Sequence, residues 1–315
     1  MPLLEATDLT RRFGDVIAVE AVNLTVDRGE VVGFLGPNGA GKTTTMRMIA
    51  GFLDPDRGQI RVCGHDVLAA PIAVKRSLGY LPEGAPAYPE MLVADFLHFV
   101  GRARGLGGQR LEARLADMVD MVGLKEVWNR PVEALSKGFR RRVAIAQALV
   151  HDPDVLILDE PTDGLDPNQK HDMRELIHRI APQKAIVVST HILEEVEAVC
   201  SRAVIIAAGR VVADATPEEL VGRAVAVNAI RVTVAAADAE IARARIAPVP
   251  GVENVELTGT ANGGARLVVR TADGAGGPSA LAAALAEAGV AIEEIGPCRP
   301  RLEDVFREIT RGRGT

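Results

Sequence analysis

Short uninterrupted apolar runs alternate with longer amphipathic stretches over the first two-thirds of the chain. Four of these runs, at 31–35, 155–158, 185–189 and 203–207, are rich in valine, isoleucine and leucine and contain no charged residue. A run that is apolar at every position is typical of a strand buried on both faces. The pattern therefore predicts an α/β fold, in which helices cover both faces of a parallel sheet.

A helical pattern follows between residues 84 and 131. Apolar residues recur there at steps of three and four positions, at Leu111, Leu115, Met118, Val119 and Val122. This spacing places them on one face of a helix. We expect a helical subdomain over about 84–150, inserted between sheet strands of a first domain that covers residues 1–222.

The composition changes near residue 222, after which no lysine occurs. The remaining pattern predicts strand, helix, strand, strand, helix and strand, at 229–234, 238–246, 254–257, 265–270, 278–288 and 291–295. This β-α-β-β-α-β order is typical of a ferredoxin-like α+β domain. We therefore predict a second, accessory or regulatory domain over residues 223–315.

Composition narrows the class of protein. The 315 residues carry a formal charge of −6 and are 48% hydrophobic, which favours a globular protein over a fibrous or disordered one. The acidic balance argues against a general electrostatic affinity for nucleic acid. The three cysteines, Cys63, Cys200 and Cys298, are scattered, so neither a disulfide framework nor a zinc site is expected. Because no long apolar segment or secretory signal is evident, we expect a soluble, cytoplasmic protein.

The strongest chemical signal is the segment 36–43, GPNGAGKT, which follows the first apolar run. It matches the pattern G-x-x-x-x-G-K-[ST] of a phosphate-binding loop between a strand and a helix. Glycines allow successive N–H groups to surround phosphate oxygens, and the start of a helix favours an anion. In such a loop Lys42 neutralises phosphate charge and the Thr43 hydroxyl can bind Mg²⁺.

A second signal is the pair of carboxylates, Asp159 and Glu160, that ends the run at 155–158. Burying two carboxylates within a strand is costly in free energy. At the C-terminal edge of an open sheet they would instead face the crevice in which ligands bind. We expect Asp159 to hold Mg²⁺ through a water molecule, and Glu160 to polarise the water that attacks the bound phosphate.

The segment 135–139, LSKGF, resembles the LSGGQ signature of the nucleotide-binding subunits of ATP-binding-cassette (ABC) transporters. Segment 163–166, DGLD, resembles the D-loop of that family, and 189–191, STH, resembles its switch histidine. Phe13 takes the place of the aromatic residue that stacks on adenine. The resemblance covers about residues 4–220 and implies an ABC cassette of the P-loop NTPase class. Such a cassette has a RecA-like parallel core, an antiparallel β subdomain and a helical subdomain.

Two positions depart from the family pattern. Lys137 and Phe139 replace a glycine and the glutamine of the signature, while Ser136 and Gly138 are kept. Glu83 stands where the family commonly has a glutamine, so it retains an acceptor oxygen, loses the amide donor and adds a negative charge. Both variants resemble those of exporter subunits that work with separate permeases, including ABC-2-type, multidrug, gliding-motility and copper-maturation subunits.

The resemblance implies a head-to-tail dimer that closes on two ATP molecules and drives a separate membrane permease, at the cytoplasmic face of the inner membrane. Catalytic roles fall to Lys42, Glu160 and His191, and Mg²⁺ is assigned to Thr43, Asp159 and Glu83. The residues expected to contact ATP in one copy or across the dimer are Phe13, Gly36, Asn38, Gly39, Gly41, Lys42, Thr43, Thr44, Glu83, Ser136, Gly138 and Asp166. No nucleic-acid partner is expected.

Other readings stay open at this point. An ABC-type ATPase of translation or DNA maintenance is one alternative, although the chain has one phosphate loop and only 136 − 42 = 94 residues between Lys42 and Ser136. A regulatory, non-transport ATPase is another. The arginines at 140–142 suggest a nucleic-acid patch, a solvated helix face or support for the signature. For residues 224–315, including the LEDVF segment at 302–306, a structural or dimerising role is favoured over binding of an effector.

Overall fold

The computed structural model describes residues 1–84, 87–224, 228–261, 264–272, 277–297, 302–303 and 305–306. The chain forms two compact units, of which the first includes Met1–Pro217 and the second begins at Glu218. The predicted domain boundary at 222/223 falls within a helix, Pro217–Ala224. Cys298 and Asp304 lie outside the described residues.

Helices and strands alternate along most of the first unit. In chain order they are β1 (Leu4–Phe13), β2 (Val16–Val26), β3 (Val31–Leu35), α1 (Lys42–Ile49), β4 (Arg57–Val62), β5 (His65–Asp66), α2 (Pro71–Ser77), β6 (Leu78–Leu81), α3 (Val93–Ala103), α4 (Gly108–Val122), α5 (Lys137–Leu149), β7 (Val155–Asp159), α6 (Pro167–Ile180), β8 (Ala185–Thr190), α7 (Leu193–Val199), β9 (Arg202–Ala207) and β10 (Arg210–Ala215). Helix α8 (Pro217–Ala224) follows, and all of it after Pro217 belongs to the second unit.

The central sheet has the strand order β10-β9-β3-β8-β7-β6. Its strands from β9 to β6 run parallel, and β10 joins the edge antiparallel to β9. The four apolar runs of the sequence are β3, β7, β8 and β9, and β3, β7 and β8 are buried at every position. The predicted α/β fold is confirmed.

A second sheet in this unit is antiparallel, with the order β2-β1-β4-β5. Helix α1 contacts β1 and β2 of this sheet and also β7 and β8 of the central sheet. Its buried residues Met46, Met48 and Ile49 belong to a core that both sheets share. Helix α1, which follows the phosphate loop, is therefore held between two sheets. This fixes the position of the loop at the N-terminus of α1.

The helical subdomain is built from α3, α4 and α5. Helix α4 buries Leu111, Leu115, Met118 and Val122, four of the five residues that the sequence spacing placed on one face, and Val119 is half-buried. Within the described part of the chain, none of the helices has both the length and the apolar character needed to cross a membrane.

The second unit contains β11 (Asn228–Ala235), α9 (Ala239–Ile246), β12 (Val252–Ala261), β13 (Gly264–Thr271), α10 (Pro278–Glu287) and β14 (Ile292–Pro297). Its antiparallel sheet has the order β12-β13-β11-β14, which is the ferredoxin-like arrangement. Val232, Leu267 and Leu281 lie in its core, in which residues of helices α9 and α10 pack together with residues of the sheet. In the LEDVF segment, Leu302 and Val305 are buried.

His151 gives the first unit a testable pH dependence. Its Nε2 donates to the Leu78 carbonyl oxygen at 3.1 Å, while its buried Nδ1 has no partner among the described residues. Burial and the nearby Arg104 lower the pKa of His151 to about 4. The unfolded chain therefore takes up this proton near pH 6.5, whereas the folded chain takes it up only near pH 4.

We expect the free energy of unfolding to decrease as the pH falls from about 6.5 to 4, by on the order of 3 kcal/mol from His151. Urea unfolding followed by fluorescence of Trp128, the single tryptophan of the chain, measures this change in the first unit. A His151→Gln variant is expected to lose most of that pH dependence. The same substitution at the exposed His171 should leave it in place, and an identical effect of both variants would contradict the assignment.

Candidate functional site

The phosphate loop connects β3 to α1 in a conformation that two glycines make possible. A Cβ atom on Gly36 would lie 2.4 Å from the Ile206 carbonyl oxygen. Gly41 has φ of +107° and a Cβ there would lie 2.5 Å from the Ala18 carbonyl oxygen. Both contacts are with backbone atoms, so a side chain at either position would displace the loop.

Lys42 begins α1 and is 8% exposed. Its Nζ donates to the carbonyl oxygen of Gly36 at 2.8 Å and to that of Pro37 at 3.3 Å. The ammonium group is thus held across the loop, at the positive end of the α1 dipole. This arrangement concentrates positive potential where an anionic phosphate would bind.

A cavity of about 500 Å³ opens in front of this loop. Nine predicted site residues line it: Asn38, Gly39, Gly41, Lys42, Thr43, Thr44, Glu83, Glu160 and His191. Ala18 and Asp163 also line the cavity, and the sequence analysis did not single them out for it. The residues come from five separate segments. Four of them follow strands of the parallel sheet at one edge, and Ala18 lies on β2 of the antiparallel sheet.

Glu160 follows β7 and has φ of +49°, a left-handed conformation that costs a non-glycine residue about 1–3 kcal/mol. Its N–H donates to the Ser189 carbonyl oxygen at 2.9 Å. Its carboxylate lies 3.1 Å from Nδ1 of His191 through either oxygen. Because a carboxylate only accepts, Nδ1 carries the hydrogen and orients the carboxylate toward the cavity.

Asp159 lies at the end of β7 and is 1% exposed. Its Oδ1 accepts from the Ser189 hydroxyl, whereas its buried Oδ2 has no hydrogen-bond partner among the described residues. Burial raises the pKa of Asp159, and the charge of Glu83 adds to this, while Ser189, Thr43 and Lys42 oppose it. A buried carboxylate oxygen without a partner, beside the Thr43 hydroxyl, fits a hydrated divalent cation.

Protein ligands alone do not build a metal cage here. Among the described residues no group of three or more His, Cys, Asp or Glu side chains is placed to hold a metal ion. Mg²⁺ in phosphoryl-transfer sites is commonly held by one or two protein groups together with phosphates and waters. The residues Thr43 and Asp159 fit that pattern.

The signature residues lie on a different surface. Ser136 is the N-cap of α5, and its Oγ accepts from the Phe139 N–H at 3.3 Å. A Cβ on Gly138 would lie 2.4 Å from Oε1 of Gln169, while Asp166 caps α6 by accepting from the Gln169 N–H at 3.0 Å. None of the predicted residues Ser136, Gly138 and Asp166 is among the described residues that line the cavity.

Lys137 connects this surface to the rim of the cavity. Its Nζ lies 3.1 Å from Oδ2 of Asp163, a cavity residue, and its side chain covers Gly164. Both partners of this ion pair are more than half exposed, so its contribution to stability is small.

Phe13 ends β1 and is 48% exposed, with the guanidinium of Arg11 5.1 Å from the centre of its ring. It is not among the described residues that line the cavity. An exposed ring is available for stacking on a base, and its predicted role stays a prediction.

Arg141 is a site residue that the sequence analysis did not identify. It is 4% exposed, unlike a residue on a solvated helix face, and its guanidinium donates to the carbonyl oxygens of Glu83 and Glu160. The signal in the sequence was an arginine within an otherwise apolar helix face, but its partners lie 58 and 19 residues away.

Comparison with known proteins agrees with this geometry. Residues 19–163 match the model of the family "ABC transporter". The ABC transporter ATP-binding protein NatA of Bacillus subtilis is 44% identical over 67% of this chain and 88% of that protein. The Nod factor export ATP-binding protein I of Ralstonia nicotianae is 35% identical over 82% of this chain and 79% of that protein.

A solved structure described as the ATP-binding subunit of an ABC transporter shares the fold, with a TM-score of 0.65 and 34% identity. The matched region covers 70% of this chain and 92% of the chain in the solved structure. ATP-binding subunits of this family bind nucleotide and work with a permease. The phosphate loop, the acidic strand end and these relatives together show that the chain belongs to the ABC transporter family, as an ATP-binding subunit with ATPase activity.

Proposed function

We propose that two copies of this chain bind ATP and Mg²⁺ between them, head to tail, and power a separate membrane permease. The observation that carries the proposal is the separation of Ser136 and Gly138 from the cavity that holds Lys42 and Glu160. A signature that does not reach its own phosphate site can complete the site of a second copy. Closure then requires ATP, and hydrolysis reopens the dimer.

Nucleotide binding is assigned to the phosphate loop and α1. Loop N–H groups and the α1 dipole stabilise the phosphates, and Lys42 exchanges its bonds to Gly36 and Pro37 for phosphate oxygens. Thr43 and Asp159 would hold Mg²⁺, with Glu83 adding negative charge nearby. The cation, when bound, neutralises charge on the phosphates.

Hydrolysis is assigned to Glu160 and His191. The Glu160 carboxylate faces the cavity and can accept a proton from a water molecule, as a general base does. His191 fixes that carboxylate through its Nδ1 hydrogen bond of 3.1 Å. The backbone bond from Glu160 to Ser189 fixes the same residue from the neighbouring strand β8.

The signature contributes a donor from the second copy. Since the Ser136 oxygen already accepts from the Phe139 N–H, the hydroxyl hydrogen is free to donate to a γ-phosphate. The N-terminus of α5 directs its dipole to the same place. Asp166, at the start of α6, would transmit changes across the dimer.

A Ser136→Ala variant is expected to bind ATP as a monomer with unchanged affinity and to hydrolyse it about 100-fold more slowly, since one donor to the transition state is lost. Calorimetry on dilute protein and a steady-state phosphate assay measure the two quantities. Ser136→Thr keeps both the hydroxyl and the helix cap and serves as the control. An equal loss of monomer binding would place Ser136 in the primary pocket instead.

Export is the proposed direction of transport, and the cytoplasmic face of the membrane is the proposed location. The Ralstonia relative is named for export, which supports the direction. Purification from solubilised membranes tests the partner, because a transport subunit should bring a hydrophobic protein with it. ATPase activity stimulated by RNA or DNA, without such a partner, would favour the nucleic-acid-linked alternative.

The ferredoxin-like unit is proposed to act in structure or dimer formation. The division of the chain at Glu218 and the separate core of this unit support an independent domain over about 223–315. Its removal is expected to change the ATP concentration at which the dimer forms, measured by size-exclusion chromatography with light scattering. Unchanged dimer formation would argue for another role.

A further inference from the structure

Arg141 is a buried cation that the reaction scheme above does not use. It lies on α5, and at 4% exposure its guanidinium is almost completely removed from water. Burial of a charged group without partners is strongly unfavourable, so the hydrogen bonds of a buried arginine matter for where it can lie.

Its hydrogen bonds run to two separate loops. One terminal nitrogen donates to the Glu83 carbonyl oxygen at 2.9 Å and lies 3.5 Å from that of Pro82. The other terminal nitrogen donates to the Glu160 carbonyl oxygen. The planar fork of an arginine can satisfy both loops at once, which a lysine ammonium on a flexible stem does less well.

These loops follow the neighbouring parallel strands β6 and β7 and carry Glu83 and Glu160, which both line the nucleotide cavity. The bonds use backbone oxygens, so the carboxylates of Glu83 and Glu160 are left for the cavity. The same Glu160 oxygen also accepts from the Asp163 N–H at 3.2 Å. Arg141 therefore acts on the loop geometry and leaves the charge of the base available.

Glu160 needs such support because its φ of +49° is unfavourable for a non-glycine residue. The Ser189 bond holds its N–H, and Arg141 holds its carbonyl oxygen. With both ends of the residue fixed, its carboxylate stays beside His191.

We propose that Arg141 is a positioning residue for hydrolysis. From its buried position on α5, Arg141 sets the distance between the loops that carry Glu83 and Glu160. Burial lowers the pKa of Arg141, while Asp163, Asp159, Glu160 and Glu83 oppose this, so all four acids of the site act on this one cation. The inference rests on the proposed function, since it assumes that Glu160 activates water.

The test compares Arg141→Lys and Arg141→Gln with the parent chain at full length. We expect kcat for ATP hydrolysis to fall about 10- to 100-fold, the effect of a misplaced reacting group. KM and the monomer's Kd for ATP should change less than about 2-fold, because the hydrogen bonds of Arg141 run to the Glu83 and Glu160 loops and not to the phosphate loop. Arg142→Lys is the matched control, since Arg142 lies on the same helix but pairs with Asp172 at 2.6 Å.

A combined Arg141→Lys and Glu160→Gln variant tests whether Arg141 affects hydrolysis through Glu160. In single-turnover hydrolysis it should be no slower than Glu160→Gln alone, because Arg141 acts through Glu160. The proposal would be overturned if Arg141→Lys slowed hydrolysis in the Glu160→Gln background by the same factor as in the parent. A kcat equal to that of the parent in both Arg141 variants would also overturn it. Equal losses in kcat and ATP affinity would show a structural role only. If the parent itself lacks hydrolysis, the proposed function fails, and that outcome is distinct from these.

Discussion

A Glu160→Gln variant is expected to bind ATP like the parent and to hydrolyse it about 1,000-fold more slowly. Glutamine keeps the size of the side chain and can still contact His191, but its amide cannot accept a proton from water. Removing a general base typically costs 10²–10⁴-fold in rate. Because hydrolysis is what reopens the proposed dimer, ATP should trap the variant as a closed dimer.

Three measurements distinguish these effects: the Kd for ATP by calorimetry, the single-turnover rate, and the molar mass with and without ATP by light scattering. Glu194→Gln is the matched control, an exposed carboxylate in the first turn of α7. Hydrolysis by Glu160→Gln near the parent rate would exclude Glu160 as the base. Slow hydrolysis without a stable dimer would leave the base assignment intact and contradict the proposed closure.

A Lys42→Ala variant should lose ATP binding itself, by about 100-fold or more in Kd. The Lys42 ammonium is the cation of the phosphate loop, at the start of α1 and almost fully buried. Removing one partner of a buried charge pair typically costs 2–5 kcal/mol, which corresponds to a factor of about 30 to several thousand. The variant also leaves the carbonyl oxygens of Gly36 and Pro37 without their donor.

Calorimetric titration of the variant with ATP measures this loss, and Lys125→Ala is the control, since Lys125 pairs with Asp120 on an exposed surface. An unchanged ATP affinity would remove the basis of the phosphate-loop assignment. Together the two variants separate the site into a binding half and a hydrolytic half: Lys42→Ala fails at the first step, and Glu160→Gln fails at the second.

The parallel core could be predicted from the sequence because its strands are buried on both faces. Val155–Asp159 and Ala185–Thr190 are buried at every position, and each opens with four consecutive apolar residues before its polar C-terminal end. Strand β6 was missed because it has only four residues and includes Gly79, which packs against the Ala148 carbonyl oxygen. Strands β1 and β2 have mixed burial, and the sequence pattern alone did not reveal them.

The site was predictable where its chemistry is local in sequence. The phosphate loop and the Asp159-Glu160 pair are contiguous segments, and each follows a strand whose position could be inferred. Arg141 could not be assigned in this way, since its function depends on carbonyl oxygens of two distant loops. A buried arginine and a solvated one give the same letter in a sequence, and only the fold decides between them.

The position of β3 has a consequence for synthesis of the protein on the ribosome. This strand pairs with β8 and β9, whose last residue, Ala207, lies about 170 residues after Leu35. At about 5–20 residues per second, an apolar strand waits on the order of 10–30 seconds for its neighbours. The phosphate loop follows this strand, so we expect nucleotide to stabilise the chain only late in synthesis, once β8 and β9 have emerged. A nascent chain of this protein is expected to need protection from aggregation during that interval.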